Sequence, residues 1–134
     1  MKTLVIGLGG TGKSTWVKNH LKDGLCFDLD ALAFALRLDP PDTEKTKRSA
    51  AAMACAGEFL ASFLDFSSYC SRDFFVIRTA PPLHEIEEIE PDRIVVGQKV
   101  YVARRYGGEE AAAQRIRNAI SWAQERFIPV EYFP

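Results

Sequence analysis

Histidine, methionine and cysteine are scarce in this chain of 134 residues, which holds only two, two and three of them. Cys26, Cys55 and Cys70 are too few and too scattered for a disulfide framework or a metal cage. Each lies in an apolar run and reads as a buried, reduced thiol. His20 and His84 have no acid–base partner in the sequence and read as surface residues. An excess of one charge is missing as well. The 17 Lys and Arg against 18 Asp and Glu leave a formal net charge of −1, so no strong non-specific attraction for nucleic acid is expected and any such contact would be local. No apolar run reaches membrane-spanning length, and the opening MKTLVIGLGGTGKST lacks the apolar core and cleavage site of a signal peptide. The expectation is a cytoplasmic protein with no membrane partner. Internal repeats and low-complexity segments are lacking too. What is present, 47% hydrophobic and 26% charged residues, is the composition of an ordinary globular chain. It is long enough for one domain over 1–134 and not for two.

Short apolar runs alternate with helical patterns along the chain. Thr3–Leu8, Leu25–Leu29, Phe74–Ile77, Arg93–Val96 and Ile128–Phe133 read as strands. Between them, Lys13–Lys22 reads as a helix with Trp16, Val17 and Leu21 on one face, stopped by Asp23-Gly24, and Ala31–Leu38 as one cut off by Asp39-Pro40-Pro41. A long helix is expected from about Glu44 to Tyr69, capped by Asp42 or Thr43, with Met53, Gly57, Leu60 and Leu64 on its apolar face. Leu83–Ile89 reads as a short acidic helix. Glu109–Arg126 reads as an amphipathic helix with Ala112, Ile116, Ile120 and Ala123 in register. Strands separated by helices imply βαβ units: an α/β fold whose mostly parallel sheet is covered on both faces and takes ligands at the carboxyl ends of its strands.

The first strand-to-helix turn, Gly7-Leu8-Gly9-Gly10-Thr11-Gly12-Lys13-Ser14, matches G-x-x-x-x-G-K-[ST] in the context that motif needs. Glycines let such a loop curl around phosphates with its N–H groups inward, and the helix start adds its dipole. Lys13 then reaches the β- and γ-phosphates, and the Ser14 hydroxyl helps hold Mg²⁺. On this reading Gly7, Gly9, Gly10, Thr11, Gly12, Lys13, Ser14 and Thr15 bind ATP. Gly7, Gly9 and Gly12 also spell G-x-G-x-x-G, with Asp28 and Asp30 about twenty residues on, where a dinucleotide site places its ribose-binding acid. Lys13-Ser14-Thr15 favours the triphosphate, since a dinucleotide site has no use for that lysine.

With these residues the chain resembles the P-loop kinase group of small phosphotransferases. Gly12–Trp16, GKSTW, is similar to the kinase domain of phage polynucleotide kinases. Phe27–Asp30, FDLD, is similar to the D-x-D of shikimate-kinase-like enzymes. The resemblance implies a three-layer P-loop NTPase fold with a five-stranded sheet in the order 2-3-1-4-5. It implies that Lys13 stabilises the transferring phosphoryl group, that Ser14 binds Mg²⁺ with Asp28 holding a metal-bound water, and that Asp30 orients or deprotonates the acceptor hydroxyl. Asp30 also has the position to cap the helix that begins at Ala31. Arg104-Arg105, beside a Gly107-Gly108 hinge, take the place of the lid arginines in such kinases, with a solvated basic turn as the alternative.

One stretch departs from that pattern. DFFVIRTAPP, 73–82, ends its strand in Arg78 where the family has an acid, and no acid follows until Glu85. Arg78 has three readings: binding an anionic substrate, pairing with Asp28 or Asp30, or reaching to the surface. Glu85, Glu87, Glu88 and Glu90 read as a solvated helix face. The leading expectation is therefore an ATP- and Mg²⁺-dependent kinase acting on a nucleoside, a nucleotide, a polynucleotide end or another small hydroxyl or phosphate acceptor. The alternatives are a nucleotide-binding switch or accessory protein with weak or no catalysis, and a dinucleotide-binding module.

Overall fold

The computed structural model describes residues 1–9, 11–40, 43–44, 47–98 and 109–134. Five strands form one sheet: β1 Lys2–Ile6, β2 Leu25–Asp28, β3 Phe74–Ile77, β4 Arg93–Gly97 and β5 Val130–Phe133. Their order is β2-β3-β1-β4-β5, and all four pairings are parallel, where a mostly parallel sheet was expected. The helices are α1 Lys13–His20, α2 Leu29–Arg37, α3 Ala50–Ser67, α4 Leu83–Ile89 and α5 Glu109–Glu125.

Alternation along the central strands sorts the core into two layers. Val5, Phe75, Ile77 and Val95 face α1, meeting Val17 with Trp16 and Leu21. Leu4, Ile6, Val76, Ile94 and Val96 face the other way, against Ile86 and Ile89 of α4, Ala119, Trp122 and Ala123 of α5, and the Leu60, Phe63 and Leu64 edge of α3. Each large aliphatic or aromatic side chain so buried contributes about 1.5–3 kcal/mol relative to exposure. Trp16 fixes α1 to the sheet, its ring 6.2 Å from Phe75 and 5.8 Å from Phe133.

The second helix-rich stretch departs from expectation at several points. α3 begins at Ala50, not near Glu44, and Ser49 caps it by accepting from Ala52 N at 3.2 Å. Thr43 is committed to a turn, its hydroxyl donating to Pro40 O at 2.6 Å, and Asp42 lies outside the described residues. Ala52 and Ala56 are the buried positions of α3 and Gly57 is exposed, because two alanines allow close approach of α2 around Ala33. Cys55 is exposed as well, and Cys26 and Cys70 are only partly buried, against the expectation of three buried thiols. α3 is also long and apolar enough by length and composition to cross a membrane, contrary to the expectation that no such run exists. A helix packed on a sheet passes the same test, and α3 does pack on α2 and the core. Strand ends differ from expectation by one or two residues. β3, the DFFVIRT strand, falls on Phe74–Ile77 as expected, so Arg78 does stand at its carboxyl end.

Candidate functional site

The glycine-rich loop leaves β1 at the carboxyl edge of the sheet. Gly7 N donates to Thr79 O at 3.1 Å, which ties the loop to the chain beyond β3. A Cβ on Gly7 would stand 2.9 Å from Thr11 Oγ1, and one on Gly97 would stand 2.8 Å from the same atom. The Thr11 side chain is thus wedged between two glycines. It is buried, its N–H donates to Leu8 O at 3.3 Å, and its hydroxyl has no partner among the described residues. Gly12 has φ 86° and ψ 23°, a conformation that favours glycine. It caps α1 with no side chain, and no acid follows in the first turn. The start of α1 therefore offers uncapped N–H groups and a positive dipole end.

A cleft of about 860 Å³ opens above this turn. Of the residues expected to hold phosphate, Gly9, Gly12, Lys13, Ser14 and Thr15 line it, whereas Gly7 and Thr11 lie beneath. Gly10, Arg104, Arg105 and the Gly107-Gly108 hinge lie outside the described residues. Lys13 Nζ folds back to donate to Gly7 O at 2.8 Å and Leu8 O at 3.0 Å. Burial pushes its pKa below the usual lysine range, against the opposing pull of Asp28 and Asp30. Its charge is partly desolvated and satisfied by neutral carbonyls, an arrangement that an anion would improve.

β2 brings two carboxylates to the facing wall. Asp28 is divided between two tasks. Oδ1 accepts from Asp30 N at 3.1 Å and Ala31 N at 3.3 Å, capping α2, and Oδ2 accepts from the Ser14 hydroxyl at 3.2 Å. The cap of α2 is therefore Asp28 and not Asp30: the helix starts at Leu29, so Asp30 is already inside the first turn. Asp30 instead pairs with Arg48, Nη1 to Oδ2 at 3.0 Å. No group of three His, Cys, Asp or Glu side chains that could hold a metal occurs among the described residues; Ser14 and Asp28 bring together one hydroxyl and one carboxylate.

Arg78 lines the cleft, but its partner is neither Asp28 nor Asp30. Nη2 donates to Glu85 Oε2 at 3.1 Å, and Nε lies 2.6 Å from Oε1 without an aligned N–H. Glu85, in the first turn of α4, has a side chain only 14% exposed, so it is not part of a solvated face, while Glu87, Glu88 and Glu90 are exposed as expected. Both histidines are exposed, His20 stacking on Trp16 at 4.0 Å. Cys26 is pushed up to about 12, by burial first and by Asp28 second, which leaves it an inert thiol.

Sequence reasoning missed Arg48, Phe34 and Met53 in the cleft wall. Arg48 belongs to the stretch expected to open the long helix, where a cation carries no signal of its own. Its proximity to Phe34, whose ring centroid is 5.3 Å from the guanidinium carbon, depends on how α2 packs on α3 and leaves no local signal. No family model matches the chain, and no curated protein matches it either.

Proposed function

We propose that the chain is a P-loop nucleoside-triphosphate-binding protein and a Mg²⁺-dependent kinase. It would transfer the terminal phosphoryl group of ATP to a hydroxyl or phosphate acceptor such as a nucleoside, a nucleotide or a polynucleotide end. The observation that carries this reading is one juxtaposition: Lys13 and Ser14 open α1 across a single cleft from Asp28 and Asp30 at the end of β2. The 2-3-1-4-5 parallel order, which puts the loop on the central strand, agrees with it.

The residues present fit the group. The uncapped start of α1 and the desolvated Lys13 ammonium suit a triphosphate, and the Ser14 and Asp28 oxygens are hard donors that suit Mg²⁺. ATP supplies the phosphoryl group and Mg²⁺ neutralises its charge. Lys13 turns from the Gly7 and Leu8 carbonyls to hold the terminal phosphate oxygens. Ser14 and Asp28 would hold Mg²⁺. The acceptor oxygen forms a bond to the terminal phosphorus while the bond from that phosphorus to the bridging oxygen breaks, and the acceptor proton passes to the Asp30 carboxylate. Incubation with labelled ATP and a panel of nucleosides, nucleotides and 5′-hydroxyl oligonucleotides tests this: label should appear on one acceptor class and disappear in Asp30→Asn.

Binding without transfer is the second reading. It is favoured by the end of β3, where Arg78 is locked to Glu85 and no carboxylate joins Ser14 from that strand. An acceptor panel without product, together with retained ATP binding, selects it. The dinucleotide reading has less support, because it leaves Lys13 and Ser14, which line the cleft, without a role. Tighter binding of NAD than of ATP would restore it.

A further inference from the structure

Arg48 stands just before the Ser49 cap of α3, where the connection from α2 returns to the cleft. Its guanidinium lies over Phe34, a residue 7% exposed, and pairs with Asp30, Nη1 to Oδ2 at 3.0 Å. The Arg48 side chain is 26% exposed, yet Nε is buried and has no partner among the described residues. A guanidinium presents a planar fork of five N–H donors suited to two acceptor oxygens at once. Here most of that capacity is unspent, and leaving a buried donor unsatisfied is unfavourable. Arg78 Nε is likewise buried without an aligned partner, but it stands 2.6 Å from Glu85 Oε1, and Nη2 donates to Oε2 of the same carboxylate.

We infer that Arg48 is a specificity-determining residue, selecting an acceptor that carries an anionic group, phosphate or carboxylate, beside the hydroxyl that Asp30 activates. This rests on the kinase reading for the role of Asp30, although the anion site itself does not. An anion with two oxygens satisfies the fork better than one Asp30 oxygen does. Arg48 then shifts from Asp30 to the anion, and the Asp30 carboxylate is left free to take the hydroxyl proton. An acceptor lacking the anion leaves Asp30 paired, so the site discriminates by controlling its own base. The flat Phe34 face keeps the guanidinium in the cleft during that exchange.

The test separates this site from the loop. Inorganic phosphate and acetate are titrated into wild type, Lys13→Ala, Arg48→Ala and the double variant. Affinity is read by calorimetry, and the arginine Nε–H signals are followed by NMR. Lys13→Ala should keep a phosphate site that shifts the Arg48 Nε–H signal and weakens by about tenfold or more when Arg48→Ala is added. Acetate binding that also depends on Arg48 assigns the site to carboxylates as well as phosphates. Arg48→Lys, which keeps the charge and loses the fork, should bind phosphate with intermediate affinity, and it replaces Arg48→Ala should that variant not fold. Equal phosphate and acetate affinity in Lys13→Ala and in the double variant would overturn the anion site. A phosphate affinity unchanged by Lys13→Ala counts instead against the loop, and the Arg48 comparison is still read from the remaining variants. For the release of Asp30, Arg48→Ala should raise acceptor-independent ATP hydrolysis several-fold, and hydrolysis at or below the wild-type rate contradicts it.

Discussion

Among the described residues two arginines line the cleft, and they differ in how closely their guanidinium groups are held. Arg78 comes from the end of a central strand and meets Glu85 seven residues on, in a pair whose side chains are 27% and 14% exposed. Arg48 comes from a connection between helices and meets Asp30 with Nη1 3.0 Å from Oδ2, in a pair whose side chains are 26% and 43% exposed. The first pair ties α4 to the sheet. The second pair joins two elements across the cleft. Arg48 Nε has no partner among the described residues, whereas Arg78 Nε, also without an aligned partner, at least stands 2.6 Å from a Glu85 oxygen. A cation near a phosphate-binding loop therefore says little until its partner is known. Arg78 was conspicuous in the sequence because it replaces an expected acid, yet it is the more committed of the two.

The largest expected effect lies on the Arg48 side. Asp30→Asn should lower turnover by about 10²–10⁴-fold, measured with labelled ATP and the best acceptor, if the carboxylate is the general base. The same change should cost under about 1 kcal/mol of stability, because the pair it breaks is partly exposed. Unchanged turnover would remove Asp30 from the chemistry. On the other side, Glu85→Ala should cost about 1.5–3 kcal/mol of unfolding free energy, since it strands a partly buried guanidinium. A shift in denaturant midpoint at constant slope measures this, and a cost as small as that of Asp30→Asn would erase the contrast between the pairs.

Beneath the loop, Gly97→Ala should cost about 1–3 kcal/mol by forcing a methyl group against Thr11 and Phe133. A fully stable Gly97→Ala would show that Thr11 is not held as described. The smallest effect is on pH. Phosphate prefers the charged Lys13, whose pKa burial has lowered. Triphosphate affinity should therefore begin to fall on the alkaline side before the usual lysine range, and Lys13→Ala should lack that decline. The sign for folding is opposite. The unfolded chain binds more protons at Lys13 between the two pKa values, so this group's contribution to stability rises with pH there.

The sheet was legible in the sequence because its strands are short apolar runs closed by glycine, aspartate or proline, and buried parallel strands need little else. The loop was legible because its glycines and Lys13 are adjacent in the chain. What was not legible depended on partners far apart or on competition between neighbours. Asp28, rather than Asp30, caps α2 because the helix begins two residues earlier than the Ala31 pattern suggested. The start of α3 was missed because Thr43 closes a turn on Pro40, leaving the cap to Ser49. Glu85 was counted with its exposed neighbours, though the first turn of α4 brings it back to Arg78. Arg48 became a wall of the cleft only through the packing of α2 on α3.

The central claim is that the glycine-rich loop holds a nucleoside triphosphate through Lys13. Calorimetric titration of ATP with Mg²⁺ into wild type and Lys13→Ala tests it most directly, with NAD as the competing ligand. The account predicts that wild type binds ATP in preference to NAD and that Lys13→Ala weakens ATP by roughly a hundredfold or more. Equal ATP affinity in the two proteins, or tighter binding of NAD by wild type, would contradict it.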